Sequence, residues 1–356
     1  MKRLAALFVG LAIAVLAAVA AWLAFSPHGA GQPPAEVGDV LFVTTRAEND
    51  DKAPAERFDG RRGSVSRGRC SVGYRPLPLA ERIAGEVEFW VPTDLQDVRD
   101  VALLDRPAFE AAIGERARGP IVLFVHGYSY GFDRTCRMGA DLQRMLGEEA
   151  TVVMFSWPSD ANPVDYVADQ VDMEWSVPEL ADLLAELAGR DDGRKLKLLA
   201  HSLGTRGVLF ALDLLALRGD DGPAAEHLVL LAPDYDRQAF IDQWPRFRHR
   251  ADRVTLYASS NDTPLKVSAA LHDHPRLGQA GEHLVVLDGM TTIDVSALGR
   301  VRPSGHEYFF YDPAVAADLA ESLLHGTPAE KRSNIRSRTL DGRPYWALLP
   351  PESATK

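Results

Sequence analysis

Residues 195–217 read KLKLLAHSLGTRGVLFALDLLAL. An apolar run at 195–200 leads straight into His201-Ser202-Leu203-Gly204. Val208, Leu209, Leu212 and Leu215 then share one helical face, and Gly219 offers a stop. Strand, sharp turn, helix is the setting in which a serine is thrust out at the carboxyl end of a buried strand. The residues two before and two after such a serine must be small, so that strand and helix can approach. Ala200 and Gly204 meet this, Ala200 standing where glycine is usual. Ser202 is therefore the candidate nucleophile, and the Leu203 amide points into the same space. A serine that merely caps a helix is the plainer alternative.

Outward from this stretch the same alternation recurs. Apolar runs at 40–44, 120–125, 151–156, 227–232, 253–258 and 282–288 read as further strands, with earlier ones at 64–77 and 85–91. Helices fall between most of them. In 177–189, Leu180, Leu183, Leu184 and Leu187 form one stripe behind a Ser176/Glu179 capping box. A last helix begins at Asp312-Pro313 and ends near Gly326. Continuous apolar strands alternating with helices predict an α/β fold: a mostly parallel central sheet with helices on both faces.

A second turn, Val125-His126-Gly127-Tyr128-Ser129-Tyr130, follows the strand at 120–125. Seven stretches together carry a family likeness: FVTTR (42–46), VLFVHGYSYGFD (122–133), FSWPSD (155–160), LLAHSLGTR (198–206), LLAPDYD (230–236), YASSND (257–262) and GHEYFF (305–310). Over roughly residues 40–325 the chain resembles an α/β-hydrolase of the lipase/esterase type, close to a group of uncharacterised bacterial hydrolases that are often membrane-anchored. The resemblance implies the α/β-hydrolase fold and serine hydrolase chemistry on ester substrates. It implies oxyanion donors at the amides of Tyr128 and Leu203.

The chain order in this fold is serine, acid, histidine. Of ten histidines, His306, in a loop before the last helix, is expected to be the base. Asp262 is the expected acid, although Asp262-Thr263-Pro264 also reads as a helix cap. Asp234 and Asp236 are the alternative acids. Tyr130, Trp157 and Trp175, with Tyr128, are candidates for lining an acyl pocket, against the reading of Trp157 as packing. No metal constellation or nucleotide fingerprint appears, so neither metal nor cofactor is expected. A serine peptidase or thioesterase, or a non-catalytic envelope-binding protein, are the alternative functions.

Lys+Arg total 39 and Asp+Glu 50, a net charge of −11, which makes the chain a poor candidate for nucleic acid, and no nucleic-acid partner is expected. Lys2 and Arg3 precede an uncharged run, Leu4 to Phe25, long enough to span a bilayer core of ~20 residues. The expected plan is one N-terminal hydrophobic helix (1–25) as a transmembrane anchor or signal segment, a linker (26–38), a hydrolase domain (39–326) and a C-terminal tail (327–356). The two early cations place the N-terminus in the cytoplasm and the body in the periplasm, held at the inner membrane by that helix. Secretion after signal cleavage is the alternative. Cys70 and Cys136 are the two cysteines; in an oxidising compartment they either pair or remain free thiols. The substrate expected is a small-molecule or lipid ester, and the oligomeric state is left open.

Overall fold

The structure is a computed structural model and describes residues 36–74, 96–116, 119–160, 162, 165–301 and 304–351. In chain order it contains β1 (Glu36–Glu48), β2 (Phe58–Tyr74), β3 (Gln96–Leu104), α1 (Arg106–Glu115), β4 (Ile121–Val125), α2 (Phe132–Leu146) and β5 (Thr151–Ser156). Then come α3 (Tyr166–Trp175), α4 (Val177–Ala188), β6 (Leu196–His201), α5 (Gly204–Leu217), β7 (Ala225–Leu231), α6 (Arg237–Phe247), β8 (Ala251–Ala258) and α7 (Thr263–His272). The chain closes with β9 (Met290–Asp294), α8 (Tyr308–Tyr311), α9 (Pro313–Leu324), β10 (Ile335–Leu340) and β11 (Arg343–Leu348).

Among the described residues the strands form one sheet in the order β10-β11-β9-β8-β7-β6-β4-β5-β1-β2-β3. The run from β1 through β5, β4, β6, β7, β8 and β9 to β11 is parallel. Antiparallel hairpins close both edges. Every residue of β4, β5 and β6 is buried, which is why those runs are apolar without alternation. Their side chains still alternate between two layers. Leu123, Leu198 and Ala200 join one core with α1, α4, α5 and α6. Val122, Phe124 and Leu199 join the other, with α2 and α9.

The leucine stripe of α4 is enclosed, with Leu180, Leu183, Leu184 and Leu187 at most 1% exposed. Each such side chain contributes ~1.5–3 kcal/mol by leaving water. The Ser176/Glu179 capping box does not form. Because α3 runs directly into α4, the Ser176 hydroxyl turns back to the Asp172 carbonyl (2.9 Å) and meets Thr45 Oγ1 (3.0 Å). The run expected as a strand at 282–288 is also corrected. Leu284, Val285 and Val286 are buried as an irregular segment. The chain turns at Gly289, whose φ is 85°, and pairing with β8 starts at Met290. The segment after residue 326 supplies the β10–β11 hairpin, with β11 parallel to β9. The strand expected at 85–91 lies outside the described residues.

The expectation of a transmembrane anchor, and with it the membrane as partner and the inner-membrane, periplasmic placement, is corrected here. No helix among the described residues is long and apolar enough to cross a membrane. The run Leu4 to Phe25 that prompted it lies outside the described residues.

Cys70 on β2 and Cys136 on α2 are joined as a disulfide, with a Cα–Cα distance of 6.1 Å and a sequence separation of 66. It ties an edge hairpin to the helix layer. A loop of that length is worth roughly 4 kcal/mol in the chain-entropy description. Cys70→Ser is expected to lower the melting temperature by about 5–10 °C. Unchanged melting would show that the bond adds nothing to stability.

Candidate active site

Ser202 sits between β6 and α5 in the left-handed backbone region, with φ of 52°. For a residue other than glycine this costs ~1–3 kcal/mol. Three backbone hydrogen bonds hold it. Ser202 N donates to the Leu231 carbonyl (3.0 Å), and the Ser202 carbonyl accepts from Thr205 N and Asp234 N (both 3.1 Å). The requirement for a small residue at 204 is met by contact with backbone: a Cβ there would lie 2.5 Å from the His126 carbonyl oxygen. Likewise a Cβ on Gly127 would lie 2.8 Å from Ser202 Cβ. The His126-Gly127-Tyr128 turn at the end of β4 therefore lies directly against the elbow. The Leu203 N–H donates to no acceptor among the described residues, as expected at the open end of a helix.

His306 and Asp262 meet. Nδ1 of His306 donates to Asp262 Oδ2 at 2.7 Å. Asp262 also caps α7, its Oδ1 accepting from Leu265 N at 2.9 Å. The two readings of that aspartate are thus compatible, one oxygen serving each. The histidine loop is fastened by Thr263 N donating to the Ser304 carbonyl (3.2 Å). Burial alone would lower the His306 pKa, but the charge and hydrogen bond of Asp262 outweigh it and hold the imidazole above its usual value. No hydrogen bond joins the Ser202 hydroxyl to His306 among the described residues. The ring of His201, the residue before the serine, lies 4.7 Å from that of His306. Catalytic hydrogen bonds of this kind commonly tighten only around substrate.

The alternative acids are committed elsewhere. Asp234 accepts from Arg276 Nε (2.6 Å), Ser268 Oγ (2.7 Å) and Tyr166 OH (2.7 Å). Asp236 caps α6 through Ala239 N (2.7 Å).

The three aromatic candidates separate. Trp157 is fully enclosed, its Nε1 donating to the His126 carbonyl at 2.9 Å and its ring stacked 5.0 Å from His126. It supports the His-Gly turn from behind and presents no surface to a ligand. Tyr130 is buried, its hydroxyl on Glu307 and its ring under the Arg134 guanidinium at 4.1 Å. Trp175 is 39% exposed at the end of α3 beside Arg62. Tyr128 packs edge-on against Tyr166, 5.2 Å between centroids.

Several residues around the site have no role assigned from sequence. His201 is buried with neither ring nitrogen hydrogen-bonded among the described residues. Burial, and then the neighbouring His306, Arg134 and His126, push it well below the usual histidine pKa, so it stays neutral. Glu307, next to His306, takes Tyr130 and Arg134 (2.6 Å). Arg46, inside the FVTTR stretch, and Asp169, on α3, are both buried near the segment that follows the His126-Gly127-Tyr128 turn, Arg46 bonded to the Tyr130 carbonyl and Asp169 to Ser129 N. Their only local signal is a charge within an otherwise apolar or helical stretch. The carboxylates of Asp160, Asp169 and Asp172 offer oxygens within 4.8 Å of one another. Asp169 is engaged by Ser129, Ser159 and Asp160, and Asp172 by Arg62 (2.6 Å), so this cluster carries no metal assignment.

If His306 acts as a base it must be neutral. Activity is then expected to rise with pH through one ionisation displaced above 6.5. A pH profile of kcat/KM that stays flat down to pH 5 would exclude that role. Stability has the opposite sign. The contribution from charged His306 is complete below the unfolded value and is lost as pH rises through the folded one.

The sheet, the strained serine turn and the histidine–aspartate pair define an α/β-hydrolase. The model of the family described as alpha/beta hydrolase of unknown function (DUF900) matches residues 105–323, and the chain belongs to that family. An uncharacterized protein of Nostoc sp., alr1448, is 35% identical over 63 residues, which is 18% of this chain and 16% of that protein's own length. Among solved structures, an esterase from Pyrobaculum calidifontis is 14% identical, covers 83% of this chain and 87% of that one, and has a TM-score of 0.37. The phospholipase PlaB from Legionella pneumophila is 12% identical, covers 65% and 67%, and has a TM-score of 0.27.

Proposed function

We propose that this protein is a serine hydrolase that cleaves carboxylic esters through an acyl-enzyme. The observations that carry the reading are a strained serine at an elbow and a histidine whose Nδ1 is held by a buried aspartate, its ring 4.7 Å from that of His201, the residue before the serine. In this mechanism His306 Nε2 takes the proton of Ser202 Oγ as the oxygen attacks the ester carbonyl. The N–H groups of Leu203 and Tyr128 hold the oxyanion, each worth ~3–4 kcal/mol. His306 then protonates the leaving alkoxide, and water, activated by the same base, releases the acid. Asp262 fixes the tautomer and steadies the imidazolium. All these groups fall within residues 39–326, which we assign as one catalytic unit.

An apolar acyl group fits the surroundings. Val167, Val171 and Trp175 on α3, and Val267 and Leu271 on α7, stand exposed. These helices meet through Tyr166 and His272, 5.6 Å between ring centroids. The acidic surface disfavours strongly anionic substrates. Acyl esters graded in chain length, assayed beside the matching thioesters and amides, test the reading. Hydrolysis of esters with longer apolar chains preferred is the expected result. Turnover of thioesters or amides alone would move the assignment to a thioesterase or peptidase. No turnover of any of them would favour a binding protein on the same fold.

A further inference from the structure

Arg46 and Asp169 are buried charges that the mechanism above does not use. Arg46 is 1% exposed and Asp169 fully enclosed. Among the described residues no ion pair joins the two; each directs its hydrogen bonds at the loops around the oxyanion turn. The Arg46 guanidinium donates to the carbonyls of Tyr130 (2.6 Å), Ser159 (2.8 Å) and Asp59 (3.3 Å), and to Ser156 Oγ (2.9 Å). Asp169 accepts from Ser129 N (3.0 Å), Ser159 Oγ (2.5 Å) and Asp160 N (3.1 Å). Ser159 Oγ in turn accepts from Tyr130 N at 3.1 Å.

Residues 129 and 130 are therefore gripped from both sides: the amides by an anion and its serine, the carbonyl by a cation. The grip has something to resist. Ser129 has φ of 62°, a left-handed conformation that serine adopts at a cost. Tyr128 precedes it directly in the chain, and the Tyr128 N–H lies one peptide further back.

We propose that Arg46 and Asp169 are positioning residues, a clamp of two buried opposite charges that sets the 128–130 backbone so that the Tyr128 amide faces the oxyanion. This rests on the serine-hydrolase reading and explains why a charged residue ends the FVTTR stretch. A donor aimed at charge that develops only in the transition state affects kcat and leaves ground-state binding alone.

The test compares wild type with Asp169→Asn and Ser159→Ala, measuring kcat per serine titrated with a fluorophosphonate, KM and melting temperature. Asp169→Asn is expected to lower kcat per titrated site roughly 10- to 100-fold, with KM within about twofold. Ser159→Ala is expected to lower it about fivefold, because one link of the clamp is removed. A purely structural role would lower melting and the titratable fraction while leaving kcat per titrated site unchanged, and that result overturns the proposal. If Asp169→Asn does not fold, Ser159→Ala alone decides. A wild type that is neither titrated nor active sinks the serine-hydrolase reading and the clamp with it. An active wild type with unaffected variants sinks the clamp alone.

Discussion

Replacing Ser202 with alanine is expected to remove ester hydrolysis by ~10⁴- to 10⁶-fold and to abolish fluorophosphonate labelling. The size follows from the chemistry: without Oγ there is no acyl-enzyme, and only the oxyanion amides remain. The variant should fold. The three backbone hydrogen bonds at residue 202 involve no side-chain atom, and alanine and serine pay the same cost for φ of 52°. Among the described residues the hydroxyl makes no hydrogen bond whose loss would destabilise the fold. The measurement is labelling and turnover of both proteins at matched melting temperature. Equal labelling of wild type and variant would eliminate Ser202 as the nucleophile.

Asp262→Asn should lower kcat by ~10⁴-fold. Asparagine offers an amide in place of one carboxylate oxygen, so the Nδ1–H tautomer of His306 is no longer enforced and the imidazolium loses its counter-charge. Folding should survive, because asparagine is as good a helix cap as aspartate, and the Leu265 N–H keeps an acceptor. Asp234→Asn is the control. It weakens the partner of Arg276, and both side chains are only 4% exposed. Leaving such a buried cation poorly paired costs ~3–5 kcal/mol. That variant should therefore lose melting temperature, while Asp262→Asn should lose turnover. The reverse pattern would transfer the acid's role to Asp234.

Much of the fold is legible locally. The five-residue run Ile121–Val125 is apolar on both faces, because both faces are covered. The cap at Asp312 needs nothing beyond its own turn, and it accepts from Ala314 N (2.9 Å) and Val315 N (3.2 Å). The strand at 282–288 misleads for a related reason. Apolar runs report burial, and Leu284, Val285 and Val286 are buried without pairing. Local sequence cannot distinguish a buried strand from a buried irregular segment when a turn glycine lies next to it.

The sequence by itself determined the central strands, most of the helices between them and the turn at Ser202, because turn chemistry and residue periodicity act over a few neighbours. Which carboxylate would stand beside His306 depended on how the chain at 304–306 settles on 261–263, a contact across more than forty residues that no spacing encodes. Helix α3 shows the same division. Val167, Val171 and Trp175 share one face and are exposed, while Asp169 and Met173 are buried. The tertiary structure turned the helix that way. The amides of Ser129 and Asp160 and the Ser159 hydroxyl place hydrogen-bonding groups where that helix docks, and the buried Asp169 carboxylate satisfies them at a lower free-energy cost than leaving them unpaired.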